Sequence, residues 1–379
     1  MRCFFRPAAR CKFFKVILVQ ALLITSAVPL SLAAMGTPPK TDASRTAEFL
    51  SPVYRIDRIY KSMEGPSEIQ SIQLLKTEVP ELLWITGYRV EIVETDGQTP
   101  APREFMCHNN LDINPQSHGK IFGWQKRGNP RLFTLSQGQF AVAFPKGFGV
   151  PVMSDESFKL ATQVLNHNFP HINRQIRHKI SIDFIRDRDL TRPMVPLYQT
   201  AASVKALLEG KDGYWGVDIP SEVQKQASCL PGEHAPQAGS RSLFEDAYGR
   251  KFTGHWVVQP GREERRTLIT NYLEIPFDTT VHFIAVHVHP FSVSTELRDL
   301  TTGKTIFKAK AQAPRKGIGL EHVDYYSSAV GIPVFKDHDY EIISRYNNTS
   351  GVNQDAMVSV FLYLEDKEFH KPLFTANSR

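Results

Sequence analysis

From Thr280 to Pro290 the chain reads TVHFIAVHVHP, a spacing that confines it to an extended strand with two unlike faces. Successive side chains of a strand point to opposite sides. Ile284, Val286 and Val288 therefore fill one face, while His287 and His289 share the other. A second stretch, MVSVFLYLE from Met357, repeats the device: Val358, Val360, Leu362 and Leu364 form an apolar face and leave Met357, Ser359, Phe361 and Tyr363 opposite. Where the two polar faces meet, the donors are two imidazoles and a thioether. That set suits copper passing through its soft reduced state, and suits zinc, magnesium or calcium poorly. The competing reading is a chance His-x-His beside a methionine that only packs.

The rest of the chain has the same texture. Short runs rich in β-branched and aromatic residues, such as PVYRIDRIY from Pro52, EIQSIQLL from Glu68 and LLWITGYRVEIVE from Leu82, are separated by Gly, Pro and Asp-Gly turns. FMCHNNLDI from Phe105, a run from Gly119 to Trp124, FPKGFGVPV from Phe144 and HKISIDFI from His178 continue it, and Thr302-Gly303 signals a hairpin. TAASVKALLE from Thr200, closed by Gly210, is the best helix candidate, with Thr200 as its N-cap. Many short strands and little helix predict an all-β protein of two antiparallel, jelly-roll-like β-sandwich domains. The expected divisions are a flexible leader over 34–51, sandwiches over 52–198 and 253–370, a linker or insert over 199–252 and a tail over 371–379.

Export decides how charge and cysteine are read. Arg2, Arg6, Arg10, Lys12 and Lys15 precede an apolar run from Val16 to Leu32, and Ser31-Leu32-Ala33 has the small residues of a cleavage site, so residues 1–33 read as a signal peptide. Cleavage would deliver a secreted or periplasmic protein with no membrane span. It would also remove five basic and no acidic residues, leaving 40 basic of the original 45 against 39 acidic ones. The near-neutral remainder gives no electrostatic case for nucleic acid as a partner. Cys107 and Cys229 would stay, an even pair for which a disulfide is the default in an oxidising compartment.

Taken together these residues resemble the copper type II, ascorbate-dependent monooxygenases, the family of peptidylglycine α-hydroxylating monooxygenase and dopamine β-monooxygenase. The similarity is strongest from Gly254 to Glu365, where VVQPGREE, AVHVHP and the Met357 strand occur in family order, and it extends through CHNNL, FPKGFGVPV and QVLNHN. The resemblance implies two mononuclear coppers, one per domain, facing each other across a solvent-filled gap. The oxygen-binding copper would take His287, His289 and Met357, which would be the catalytic residues. The electron-supplying copper would take His108 and His167, together with Cys107 where the family has the first of an adjacent histidine pair.

Two departures qualify what the resemblance implies. Neighbours in a regular strand diverge, so Cys107 and His108 can share a metal only across a bulge or bend. Cys107 is thus a thiolate ligand, a disulfide partner of Cys229 or an inert buried thiol. Ala285, Ser359 and Phe361 also replace the family's polar anchors for a peptide carboxylate. A small, less polar molecule is the expected substrate, hydroxylated with O2 and ascorbate or another one-electron donor. The alternative is an exported copper-binding protein without turnover, for storage, delivery or recognition. His282 reads as a packed residue, and His118, His171, His178, His234, His255, His322, His338 and His370 have no convincing ligand register.

Overall fold

The computed structural model describes residues 43–123, 130–208, 243–245 and 249–372. The signal peptide, Cys3, Cys11, Cys229, residues 34–42, most of the insert and residues 373–379 lie outside them. The described chain is all-β, built of sheets in sandwich-like layers. Its largest sheet has 10 strands, eight of which run in the order Arg45–Leu50, Arg174–Arg186, Leu82–Val93, Phe148–Met153, Val195–Ser203, Val358–Glu365, Thr279–Val288 and Tyr326–Val334. The pairing is antiparallel except where Val195 and Pro196 lie parallel to Phe148 and Gly149. That join carries one sheet through both halves of the chain.

A 4-stranded sheet covers the first half, in the order Ser67–Ile72, Phe158–Val164, Met106–Asp112 and Arg131–Ser136. A 5-stranded sheet covers the second, including the Ser292–Asp299 and Lys304–Gln312 hairpin around Thr302-Gly303. Two apolar cores result. The first gathers Tyr88, Phe133, Phe144, Phe158 and Ile180, and the second gathers Trp256, Val286, Ile342 and Val358.

Three segments differ from the sequence expectation. Residues 45–50, assigned to a flexible leader, form an edge strand paired from Arg45↔Phe184 to Leu50↔Lys179, because Ala47 and Phe49 find the first core to pack on. Thr200 is inside a strand rather than capping a helix: Leu197 to Ser203 pair with Glu365 to Ser359, and Thr200 Oγ1 donates to the Leu273 carbonyl. The helix-favouring composition yields there to long-range pairing. Conversely, Pro115–Phe122 is a helix, capped by the Asn114 side chain, which accepts from the N–H groups of Gln116 and Ser117, and closed by Gly123 at φ 75°.

The halves are also tied by polar contacts. Asn168 Nδ2 donates to the Ile318 carbonyl at 3.0 Å, and the Ile318 N–H donates back to Asn168 Oδ1 at 2.7 Å. The Leu320 N–H donates to Gln137 Oε1 at 3.1 Å, and the Val323 N–H to the Gly138 carbonyl at 3.0 Å. Gly138 has φ 84°, and a Cβ there would stand 2.7 Å from Val323 Cγ2, so the closeness of this join depends on glycine.

Candidate metal centre

The strand Thr279–Val288 pairs with Val358–Glu365 in the register Ala285↔Phe361, Val286↔Val360, His287↔Ser359 and Val288↔Val358. The face of Ile284, Val286, Val288, Val358, Val360, Leu362 and Leu364 is sealed in the second core. The opposite face turns to the first half. Along most of its length it too is sealed: Phe283, Ala285, Phe361 and Tyr363 join the first core. Tyr363 stands 5.6 Å from Phe133 and 4.9 Å from Phe144 between ring centres, and its hydroxyl donates to the Leu132 carbonyl. The halves touch directly here, because large aromatic side chains occupy the space between them.

Beyond Ala285 the same face changes character. His287 is half-buried, and His289 lies one residue past the strand end, buried. Their ring centres are 5.3 Å apart and nearly perpendicular, at 88°. Met357 lies in the break between the short strand Gln354–Ala356 and Val358–Glu365, half-buried, rather than inside a continuous strand. The Tyr346 hydroxyl donates to the Met357 carbonyl at 2.9 Å and accepts from the His289 N–H at 3.4 Å. One phenol thus ties the end of the histidine strand to the methionine break.

Two neighbours join them: His255, which the sequence reading sets aside, and Asp355, which it does not consider. His255 has its ring centre 5.7 Å from that of His289, and both its nitrogens are buried without a hydrogen-bond partner. It immediately precedes the Trp256↔Ala356 pair, and Met357 immediately follows it. Asp355 Oδ2 stands 2.8 Å from His289 Nδ1, short of hydrogen-bond alignment, and neither atom has another partner. Burial alone would raise the Asp355 carboxyl above its usual range, but His289, His255 and His167 around it hold it below. A signal for Asp355 exists in the sequence, since it is two residues from Met357 and shares its strand parity. None exists for His255, whose place depends on the pairing with 354–356.

The first half contributes Cys107, His108 and His167. The register between Met106–Asp112 and Phe158–Val164 slips between Met106 and His108, making Cys107 the extra residue of a bulge. This is the irregularity that can bring neighbouring side chains round to one side. Cys107 is a free, buried thiol. Burial pushes it up to about 12, although the Met63 backbone hydrogen bond pulls the other way. In the metal-free chain the thiol is therefore protonated and not a nucleophile. His167 is presented by a turn in which Asn166 Oδ1 accepts from the N–H groups of Asn168 and Phe169, and its Nε2 is buried and unpartnered.

The sets from the two halves lie within electrostatic reach of each other. His108 is held well below the ordinary imidazole range by burial, then by Arg131, His178, His289 and His255. His287 is depressed by burial, then by His289, His108 and His255. His167 and His255 are depressed likewise, although Asp355 opposes the effect at both. Neutral imidazole is the form that binds a metal. Among the described residues no three His, Cys, Asp or Glu side chains are close enough to grip one ion as they stand. The rings are gathered, and closing on an ion would require side-chain rotation.

Of the other histidines, His282 sits at a register slip, with Nδ1 3.0 Å from the Ser328 carbonyl and its ring 4.3 Å from Phe148, a packed position. His118 is buried against Glu156 at 2.7 Å.

No protein-family model matches the chain, and no curated protein does. Among solved structures it is similar to PNGase F, a glycosylasparaginase from Flavobacterium meningosepticum, at 8% identity and a TM-score of 0.32, over 87% of this chain and 99% of that one. It is also similar to the STIV MCP, at 10% identity and a TM-score of 0.29, over 83% and 97%. Likenesses this distant carry no argument about function. No helix among the described residues is long and apolar enough to cross a membrane.

Proposed function

We propose that this chain is an exported copper-dependent monooxygenase acting on a small molecule. The observation that carries the reading is a set of imidazoles from both halves with buried, unpartnered nitrogens: His167 Nε2, His255 Nδ1 and Nε2, and His287 Nδ1. Leaving such a group unsatisfied costs roughly 1–3 kcal/mol, a cost that bound metal ions would remove. With Met357 half-buried at the break beside His289, the donors fit copper better than a hard cation. His287, His289 and Met357 would hold the copper that meets oxygen, and His108 and His167 the copper that relays electrons. When bound, copper supplies the one-electron chemistry by which O2, two electrons from ascorbate or another donor, and two protons convert a C–H group to C–OH and water. The chain's own part is to keep His108, His167 and His287 neutral, to anchor His289 and Met357 through Tyr346, and to exclude bulk water with the aromatic seal of Phe283, Phe361 and Tyr363.

His108, His167, His255 and His287 are only partly exposed, and the nitrogens named above are buried, so a substrate would reach them only after side-chain movement. Ala285 and Phe361, at 1% and 6% exposure, are packed into the first core. A peptide carboxylate would find no charged partner among them. The same packing favours a second reading, an exported copper-binding protein without turnover, because it fills space that a substrate would need.

Copper content of the purified, leaderless protein and oxygen uptake with ascorbate test both. The enzyme reading expects two coppers per chain and ascorbate-driven oxygen uptake above the free-copper background across a substrate panel. Copper bound without such uptake would leave the second reading standing, and no copper at all would overturn both.

A further inference from the structure

We infer that His255 is a third imidazole donor to the ion held by His287 and His289, and that Asp355 is the carboxylate that holds His289 in position. The inference rests on the copper reading above and changes the composition of its site. With metal–nitrogen bonds of about 2.0–2.1 Å in tetrahedral array, two imidazole ring centres on one ion lie about 5 Å apart. The observed spacings, 5.3 Å from His287 to His289 and 5.7 Å from His289 to His255, are close to that value, while gripping one ion with all three would require the side chains to rotate. Neither nitrogen of His255 has another use, since both are buried and unpartnered.

Asp355 answers a different need. A metal-bound imidazole commonly gives its second N–H to a carboxylate, which fixes the ring and raises its basicity. Asp355 Oδ2 is 2.8 Å from His289 Nδ1, which would leave the other ring nitrogen, Nε2, for an ion. Its side chain is only 16% exposed, and among the described residues its ion-pair contact is to His289, with no Lys or Arg. Three nitrogens with a carboxylate behind them also favour the oxidised ion more than two nitrogens and a thioether do.

The test uses the leaderless chain carrying His108→Ala and His167→Ala, which removes the other candidate donors. Copper is titrated against a competing chelator, and the number of coordinated imidazoles is counted by pulsed EPR on Cu(II). The expected result is one copper with three imidazoles, falling to two in His255→Ala and in His255→Gln, the latter retained in case the alanine variant does not fold. Asp355→Asn should leave the nitrogen count unchanged and weaken binding about 10–100-fold. Copper still bound, with nitrogen count and affinity unmoved in both His255 variants, would overturn the inference and spare the copper reading. No copper bound in this background or in the parent would overturn both.

Discussion

One face of the histidine strand contains two contrasting regions. At Phe283 and Ala285 it is dry and filled by Tyr363, Phe361, Phe144 and Phe133. At His287 and just past the strand end at His289 it is lined by other imidazoles whose nitrogens lack partners. Backbone pairing is continuous from Phe283 to Val288, so the contrast comes from side chains alone. The filled region gains stability by burying apolar surface. The imidazole region forgoes part of that gain, which is how ligand sites commonly stand out from the core that supports them.

This contrast predicts opposite outcomes for variants a few residues apart. The largest effect on folding should come from Phe283→Ala, since Phe283 is fully buried beside Phe144, Tyr325 and Tyr363. Large-to-small changes of this kind cost about 3–5 kcal/mol, to be read by urea unfolding of the metal-free protein. A loss below about 1 kcal/mol would mean that the seal is looser than its packing implies.

Next in size is a pH effect behind the imidazole region. His178 is fully buried, and burial pushes it down to about 3. An unfolded histidine takes up its proton near pH 6.5. The unfolded chain therefore binds the extra proton first as pH falls, and stability drops from about pH 6.5 down towards 3, by about 1.4 kcal/mol per pH unit. At pH 5 the loss attributable to His178 is about 2 kcal/mol relative to pH 7. In His178→Gln the unfolding free energy should fall with pH by one proton's worth less. An unchanged slope between pH 7 and 5 would show that the native His178 takes up its proton as readily as the unfolded chain does.

The smallest folding effect belongs to Met357→Leu, which keeps most of the volume at a half-buried break in the strand. It should cost the metal-free protein less than about 1.5 kcal/mol while sharply weakening Cu(I) binding in a chelator competition. A change of several kcal/mol with copper affinity intact would make Met357 a core residue.

The sequence carries the period-2 alternation of TVHFIAVHVHP and MVSVFLYLE and the all-β texture, because both are local properties of a strand. It also carries the condition that Cys107 and His108 need a bulge, and a bulge is what the pairing with Phe158–Val164 produces. Less legible is whatever depends on distant partners. Thr200 to Ser203 look helical until Val358–Glu365 is beside them, and residues 45–50 look loose until Arg174–Arg186 offers an edge. His255 comes beside His289 only through the pairing of 256–258 with 354–356. The filling of the inter-half space by Tyr363, Phe144 and Phe133 is likewise a product of tertiary packing.

The reciprocal hydrogen bonds between Asn168 and Ile318 have a kinetic consequence. They sit in the loop that follows His167, and with the Gln137–Leu320 and Gly138–Val323 contacts they latch the halves at several points. A clam-shell opening would break all of these and the aromatic seal together. Separating the halves to admit a small molecule to the histidine-lined region would therefore cost the latch and the seal at once, which sets a high barrier to that route.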